Sequence, residues 1–195
     1  MEVAVYSGSF NPVHNGHIAI AKAALKAGSD EVWLIVSPQN PHKKEKDLWP
    51  FEDRIKMAEL AVTDQPLIKV SDCENLLPRP SYTINTLEFL QKSWPENKFR
   101  LLIGEDNLVK FHLWKDYRQI LETFGLIIYP RSSQLVRPTE YDQFIYKMKA
   151  PLLDVSSSEI RKRLSDNASI HNLVPPAVEK YILEKFRKGD PESVF

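Results

Sequence analysis

The chain lacks both the cysteines for a disulfide framework and the long apolar runs of a membrane-spanning protein. Its single cysteine, Cys73, excludes an internal disulfide framework and suits a reducing compartment. No apolar run approaches the roughly 20 residues that a membrane-spanning helix needs. The opening residues, MEVAVYS, have neither the basic region nor the long apolar region of a signal peptide. The sequence therefore predicts a cytoplasmic protein with no membrane partner.

The sequence also lacks an excess of charge and several well-known motifs. Lysine plus arginine and aspartate plus glutamate each number 26, so no overall field would draw the protein to nucleic acid. Any anion-binding site must therefore depend on a local cluster of positive charges or hydrogen-bond donors. The absence of a GxxxxGK[ST] loop, a GxGxxG fingerprint and a GxSxG elbow argues against P-loop NTPases, ordinary dinucleotide dehydrogenases and hydrolases with a nucleophile elbow.

What the chain does contain is a regular alternation of short apolar runs and longer helical patterns. Several runs are apolar nearly throughout, as strands buried on both faces of a parallel sheet must be. This order predicts a Rossmann-like, doubly wound α/β fold, with a mainly parallel sheet and helices on both faces. The predicted strands are 3–7, 31–37, 67–72, 99–104 and 125–130, with a weaker sixth at 152–155. The predicted helices are 16–27, 51–63, 82–94 and 116–123.

The segments between these elements indicate the domain organisation. There is no internal repeat and no linker rich in glycine, serine or proline, so residues 1–195 are predicted to form one domain with a flexible tail at 187–195. Gly28 suits a left-handed cap after the first helix. In such folds, ligands bind at the carboxyl ends of the strands, where strand order reverses. The residues that follow each strand are therefore the candidates for a functional site.

The stretch GSFNPVHNGH follows the first predicted strand. Gly8 permits a close backbone approach, and Pro12 stiffens the turn. His14 and His17 lie on one side of the first turn of the next helix, whose free N–H groups and dipole favour an anion. Three interpretations remain open: a phosphate cradle, a capping and packing pair, or half of a metal site.

A second candidate for phosphate binding is the stretch DVSSSEIRKRL. Ser156 and Glu159 form an S-x-x-E capping box, so a helix is predicted to begin at Ser157. Ser157 and Ser158 would point outward at the helix start, with Arg161 one turn further on. The alternative is a well-capped surface helix. A third candidate is the loop after the second strand, Ser37 to Lys44. Its basic side chains, His42, Lys43 and Lys44, could clamp a polyphosphate or simply be solvated.

Two other segments could hold an organic group. After the fourth strand, Asp106 can accept a hydrogen bond from a sugar hydroxyl. Trp114 could stack on a flat ring, although a lone tryptophan often belongs to the core. The stretch PSYTINTL places Tyr82 and Thr83 at a predicted helix start, where they could cap the helix or offer N–H groups to an anion.

Taken in order, these segments resemble those of the nucleotidylyltransferases with an HxGH signature, here His14-Asn15-Gly16-His17. The match is close to the bacterial nicotinate-nucleotide adenylyltransferases and covers residues 3 to about 183. An isolated HxGH occurs by chance, whereas an ordered set is specific. The shared segments are GSFNPVHNGH, PQNPHK, PSYTINTL, IGEDNL with the later Trp114, YPR, VSSSEIR and LVPPAVEKYI.

The resemblance implies a reaction in which ATP and nicotinate mononucleotide give nicotinate adenine dinucleotide and pyrophosphate. It also implies Mg²⁺ on the triphosphate, with no metal ligand from protein side chains. The mononucleotide phosphate would attack the α-phosphorus in line, so the protein supplies positioning and charge stabilisation. The implied roles are His14 and His17 in catalysis; Gly8, Ser9, Phe10, Lys43, Ser157, Ser158 and Arg161 in binding ATP and its phosphates; and Thr83, Trp114 and Asp106 in binding the mononucleotide.

Rival functions exist within and outside this family. Relatives that act on pantetheine phosphate or on the amide mononucleotide share HxGH, but PSYTINTL and the chain length favour the nicotinate substrate. Glu74 is the only acid between Cys73 and Glu88, so little local negative charge should oppose a carboxylate there. The intact histidines and Arg161 disfavour a non-catalytic nucleotide sensor, and the chain is too short for an aminoacyl-tRNA synthetase with an anticodon domain. A monomer and a homo-oligomer are both compatible with the sequence.

Overall fold

The structure, a computed structural model, describes residues 1–38, 48–130, 141–150 and 154–186. Its strands are β1 (Glu2–Gly8), β2 (Glu31–Val36), β3 (Ile68–Ser71), β4 (Lys98–Gly104), β5 (Leu126–Tyr129) and β6 (Ile145–Lys147). They form one six-stranded sheet in the order β3-β2-β1-β4-β5-β6, and every neighbouring pair is parallel. The predicted doubly wound α/β fold is confirmed, with a sheet that is parallel throughout.

Helices connect the strands and cover both faces of the sheet. They are α1 (Asn15–Lys26), α2 (Phe51–Val62), α3 (Thr83–Ser93), α4 (Glu105–Leu108), α5 (Tyr117–Gln119), α6 (Ser157–Ser165) and α7 (Pro176–Phe186). A π turn at Ile120–Phe124 continues α5, and 3₁₀ turns lie at Cys73–Leu76, Phe111–Leu113 and Asp142–Phe144.

Two apolar layers hold the sheet in place. All six residues of β2 are buried, because a central strand between two layers of helices exposes neither face. On one face, Tyr6 and Leu34 belong to a cluster with side chains of α1, α2, α6 and α7. On the other face, Val5 and Ile35 pack with α3 and with the segment from α4 to the π turn. Side chains of alternate residues along a strand therefore reach different sets of helices.

Most predicted boundaries agree with the structure. The first five strands and the first three helices begin and end within one residue of the predicted positions. Gly28 has a φ of 111°, as expected for a positive-φ residue after a helix. The predicted helix at 116–123 is only partly right. Asp116 has a left-handed φ of 52°, so the helix begins at Tyr117 and widens into the π turn.

The prediction for the sixth strand is wrong. Asp154 and Val155 are not in a strand, and residues 151–153 lie outside the described residues. The sixth strand is Ile145–Lys147, which pairs with β5 at the edge of the sheet. This strand has three half-exposed or exposed residues, so it leaves no continuous apolar run for the sequence to show. Helix α7 was not predicted either.

The reversal of strand order falls beside β1. β2 and β3 lie to one side of β1, and β4, β5 and β6 lie to the other. The carboxyl ends of β1, β2 and β4 therefore meet at the switch point, where doubly wound sheets bind their ligands. Across the described part of the chain, no helix is both long and apolar enough to cross a bilayer.

Candidate active site

The loop after β1 is packed tightly around the ring of Phe10. This residue has a φ of 44°, which is uncommon for a residue other than glycine and marks a constrained turn. A Cβ on Gly8 would lie 3.2 Å from the tip of the Phe10 ring. The close approach predicted at Gly8 is thus made by the loop's own phenyl ring. The loop also contains a cis peptide bond between Asn11 and Pro12.

The two signature histidines lie face to face at the start of α1. Their ring centroids are 3.6 Å apart, with an angle of 25° between the planes. The backbone N–H of His14 donates to Nδ1 of His17 at 3.2 Å. Since Nδ1 is an acceptor, the proton of a neutral His17 is on Nε2, which is a donor. His17 therefore combines two of the roles left open by the sequence, capping the helix through one nitrogen and offering a donor through the other.

The glycine between the histidines provides the space for this stacking. A Cβ on Gly16 would lie 3.0 Å from two atoms of the His14 ring and 3.0 Å from Cγ1 of Val155. Aromatic rings support His17 from behind. The Phe10 ring meets it edge to face with centroids 4.9 Å apart, and the Tyr6 ring lies at 6.0 Å. These contacts restrict the orientation of the imidazole.

Helix α6 holds the loop from the other side. It begins at Ser157 as predicted, and Ser156 Oγ accepts a hydrogen bond from the Glu159 N–H at 3.1 Å. Ser157 Oγ donates to the carbonyl of Pro12 at 2.9 Å. Arg161 donates to the carbonyl of Asn11 at 2.7 Å. These residues of α6 therefore contact the signature loop directly.

The remaining residues of the predicted phosphate site are close to this loop or undescribed. Ser158 Oγ accepts from Arg161 at 3.3 Å. Ser9 Oγ is buried and makes no hydrogen bond within the described part of the chain. A buried hydroxyl without a partner costs about 1–3 kcal/mol, which a hydrogen bond to a ligand would recover. Lys43 lies outside the described residues.

A cavity of about 160 Å³ opens beside the loop, at the ends of β1, β2 and β4. An apolar cavity of about 150 Å³ holds a benzene molecule, so this one has room for one six-membered ring. Thr83 and Trp114 both line it, which confirms that the fold brings these two predicted residues together. Trp114 is half-buried and its ring lies 5.3 Å from that of Phe111, so it contributes to the core as well as to the cavity wall.

The start of α3 forms the donor side of the cavity. Tyr82 is the N-cap residue, and no side-chain cap is formed in the described structure. The first N–H groups of the helix thus remain available at its positive end. Ser81, which the sequence did not identify, is buried in the same wall with an Oγ that makes no hydrogen bond to the described residues. Lys115, also missed, lines the cavity with its Nζ 4.9 Å from the centre of the Tyr82 ring.

The expectation of little negative charge near the cavity needs correction. Glu74, the one acid in that stretch of sequence, lines the cavity. Its carboxylate accepts hydrogen bonds from the hydroxyls of Ser7 and Thr86, each at 3.0 Å, and from that of Ser37. These three residues come from β1, α3 and the end of β2, so no local pattern could reveal their common partner.

Two further observations complete the site. Asp106 is exposed in the first turn of α4, and it is not among the described residues that line the cavity. Within the described ranges, no group of three or more histidine, cysteine or acidic side chains is placed to hold a metal ion. The donors around the signature loop are imidazole, hydroxyl, guanidinium and backbone N–H groups, which suit an anion.

Comparison with known proteins gives the class first. A family model described as cytidylyltransferase-like matches residues 5–163, which is most of the chain, so the chain belongs to that family. A solved structure of nicotinic acid mononucleotide adenylyltransferase from Plasmodium falciparum, complexed with APC, superposes with a TM-score of 0.79. It covers 95% of this chain and 96% of its own, and at 20% identity the likeness concerns the fold alone.

Curated relatives give the particular family. A probable nicotinate-nucleotide adenylyltransferase of Flavobacterium psychrophilum is 40% identical over 185 residues, covering 93% of this chain and 96% of its own. A protein of the same name from Bacteroides fragilis is also 40% identical, covering 93% of this chain and 90% of its own. The chain therefore belongs to the nicotinate-nucleotide adenylyltransferase family, as the ordered motifs predicted.

Proposed function

We propose that this protein transfers the adenylyl group of ATP to nicotinate mononucleotide, giving nicotinate adenine dinucleotide and pyrophosphate in NAD biosynthesis. One observation carries the proposal. The loop that carries a stacked histidine pair at a helix start adjoins a ring-sized cavity with a second helix start in its wall, and Gly8 is part of both the loop and the cavity lining. An anion-binding loop beside a slot for a flat ring suits a reaction between a triphosphate and a mononucleotide.

The chemical step needs positioning more than it needs a reactive side chain. An oxygen of the mononucleotide phosphate forms a bond to the α-phosphorus of ATP, and the bond from that phosphorus to the bridging oxygen of pyrophosphate breaks. His17 donates from Nε2 to the oxygens of the transferred phosphate, where negative charge develops. His14, stacked on His17, contacts the same phosphate from the other end of the signature. The product forms without a covalent enzyme intermediate.

The ATP side of the site is assigned to the signature loop and α6. Gly8, Ser9 and Phe10 line the groove for the nucleotide. Ser157, Ser158, Arg161 and Lys43 hold the phosphates in this proposal. Arg161 and Ser157 have a second task, because their hydrogen bonds to loop carbonyls fix the loop that binds ATP.

Mg²⁺ enters the proposal as a companion of the triphosphate. The donor set around the loop fits an anion, so the oxygens of ATP rather than protein carboxylates would coordinate the ion. Its contribution would be to neutralise charge on the departing pyrophosphate. The residues of this chain hold the phosphate oxygens that the ion leaves accessible.

The mononucleotide side is assigned to the cavity. Trp114 positions the nicotinate ring, and the ring carboxylate accepts hydrogen bonds from the N–H groups at Thr83 and the residue after it. Lys115 adds a positive charge at the same wall. Asp106 is proposed to accept a hydrogen bond from a ribose hydroxyl, outside the ring cavity. With ATP and a small mononucleotide as partners, we also propose that the protein works in the cytoplasm.

A direct assay tests this function. Pyrophosphate release is followed with ATP and, in turn, nicotinate mononucleotide, nicotinamide mononucleotide and pantetheine phosphate. We expect turnover with the nicotinate compound to exceed that with the other two. Faster release with pantetheine phosphate would contradict the substrate assignment, and no release with any acceptor would contradict adenylyl transfer itself.

A further inference from the structure

Two buried side chains of opposite charge meet the ends of β1 and β2. Glu74 is 2% exposed, and Arg54 is 1% exposed. Glu74 accepts hydrogen bonds from side-chain hydroxyls, including that of Ser37. Arg54 donates to backbone carbonyls, including that of the same Ser37 at 2.6 Å. The sequence did not reveal the burial or the contacts of either charge, and the proposed chemical step uses neither.

Arg54 connects the loops on the phosphate side. It extends from α2, and its guanidinium donates to the carbonyls of Ser9, Ser37, Pro38 and Trp49. Four of its five N–H groups are thereby used on backbone carbonyls from three segments of the chain. In the described part of the chain it forms no ion pair with an acid. Burial lowers the pKa of Arg54 to about 10, which reflects the cost of keeping this charge away from water.

Glu74 connects the elements around the cavity. Its three donors, Ser7, Ser37 and Thr86, lie on β1, after β2 and on α3. A hydroxyl that donates its hydrogen to Glu74 can offer only lone pairs to its other neighbours. Ser7 and Ser37 therefore present acceptors to the cavity, which the start of α3 also lines with its N–H donors.

Stability alone does not account for this pair. Burial of a charge costs free energy that its hydrogen bonds must offset, so two separate buried charges are weak evidence for a purely stabilising role. Both charges bond to Ser37, one through Oγ and the other through the carbonyl. A shift in either would move the end of β2 relative to β1, which lies between the two halves of the site.

We propose that Arg54 and Glu74 are positioning residues for the two substrates, with Arg54 setting the loop that binds ATP and Glu74 setting the cavity that binds the mononucleotide. This inference rests on the proposed function. Arg54 acts through the carbonyls of Ser9 and Ser37, and its buried positive charge favours the triphosphate. Glu74 acts through the hydroxyls of Ser7 and Ser37, whose lone pairs repel a carboxylate and so favour its binding to the N–H donors at the start of α3.

The test separates the two substrates kinetically. Arg54→Lys keeps the positive charge but loses the guanidinium geometry that bonds several carbonyls at once. Glu74→Gln keeps the shape of the side chain but loses its negative charge. We expect Arg54→Lys to raise KM for ATP about tenfold or more and to change KM for nicotinate mononucleotide less than about threefold, since small misplacements in a site carry large penalties. For Glu74→Gln we expect KM for nicotinate mononucleotide to rise about tenfold or more and KM for ATP to change less than about threefold. A matched control is Asp53→Asn, which removes a buried charge on the same helix whose partners, Tyr181 and Lys185, lie on α7.

The control should lower the melting temperature and leave both KM values unchanged. Ser37→Ala keeps the carbonyl for Arg54 and removes the donor to Glu74, so it should reproduce the Glu74→Gln division in a milder form. If Glu74→Gln fails to fold, Ser37→Ala still decides the cavity half of the proposal. If Arg54→Lys fails to fold, Arg54→Gln, which is neutral but keeps an N–H₂ donor for the loop carbonyls, decides the ATP half by the same comparison of KM values. Equal changes in both KM values, or changes in stability without any change in KM, would overturn the proposal. Turnover by the unmodified protein tests the proposed function separately, because the division between substrates is measured only if that turnover exists.

Discussion

The two halves of the site are built in different ways although they share one edge of the sheet. On the phosphate side, the signature loop is held by hydrogen bonds to its own carbonyls from α6 and from Arg54. On the cavity side, the walls are a helix start, a half-buried tryptophan and the ends of three strands. The phosphate side is thus a backbone loop held in one conformation, and the mononucleotide side is a cavity between secondary-structure elements.

This difference has a physical consequence. A phosphate binds to donors whose directions are fixed, so the loop must be rigid before ATP arrives. A flat ring binds by shape and by contact with apolar surface, so its cavity tolerates small movements of each wall. We therefore expect substitutions on the phosphate side to affect turnover or KM for ATP, and substitutions on the cavity side to affect KM for the mononucleotide and the choice of substrate.

The largest expected effect is that of His17→Ala. It removes the Nε2 donor, so turnover should fall roughly 10²–10³-fold while KM for ATP changes far less. His17→Asn is the matched control, since its side-chain oxygen can still accept from the His14 N–H. Steady-state rates and thermal unfolding of both variants check this prediction. We expect His17→Asn to be as slow as His17→Ala but more stable. Near-normal turnover by His17→Ala would reduce the pair to a packing role.

Arg161→Ala should have the next largest effect. Hydrogen bonds to charged groups contribute about 1.5–3 kcal/mol, so KM for ATP should rise roughly ten- to a hundredfold. The free energy of unfolding should fall by only about 0.5–1.5 kcal/mol, from the lost hydrogen bond to the Asn11 carbonyl, so the effect on ATP binding should be the larger one. Arg163→Ala, on the same helix and paired with Glu159 at the surface, is the control and should leave KM unchanged. If the arginine at 161 were purely structural, unfolding by heat would report a loss as large as that in ATP binding.

Substrate choice should show a smaller effect and report on the cavity. An amide in place of the ring carboxylate would present N–H groups to the N–H groups of α3, leaving donors unpaired at about 1–3 kcal/mol. We therefore expect a preference for the acid of at least roughly tenfold in kcat/KM. Lys115→Gln should reduce that preference without changing KM for ATP. Competition between the two mononucleotides measures this preference. Equal use of both would contradict the proposal that the ring carboxylate binds at the start of α3.

The smallest effect should come from Ser156→Ala. Loss of the N-cap bond to Glu159 should cost about 0.5–2 kcal/mol of stability, with turnover reduced only as α6 frays. Ser165→Ala at the other end of the helix removes an exposed hydroxyl and serves as the control. Chemical denaturation of the two variants gives the comparison. A drop in turnover of a hundredfold or more would show that the start of α6 has a larger part in the chemical step than support of the loop.

The phosphate side was easier to predict from the sequence than the cavity side. HNGH and the capping box at Ser156 lie within a single turn of helix, so their spacing alone fixes which side chains share a face. Thr83 and Trp114 were predicted through the family resemblance, and the fold places them on one cavity. The positions of Glu74, Lys115 and Ser81 on the cavity could not be predicted, because the elements that form its walls are distant from one another in the chain.

The same reasoning applies to the fold. The central strands are largely apolar and were predicted to within one residue. The edge strand Ile145–Lys147 is short and partly exposed, so its pairing with β5 leaves no trace in composition or period. Gly16 lies between these two cases, because the sequence predicted its position but not its structural role. Its position in the signature was evident, but the reason for it, the His14 ring and Val155 at 3.0 Å, required the three-dimensional structure.

The anchorage of α1 has a consequence for how the molecule is made. The first residue of α1, Asn15, donates from its backbone to the carbonyl of Leu173 at 2.9 Å and from its side chain to that of Asn172, 157 residues further along the chain. During synthesis, the histidine signature precedes the partner of Asn15 by 157 residues, so these contacts cannot form until that later segment has been made. A nascent chain that ends before Asn172 therefore carries the motif without the hydrogen bonds that anchor the first turn of α1.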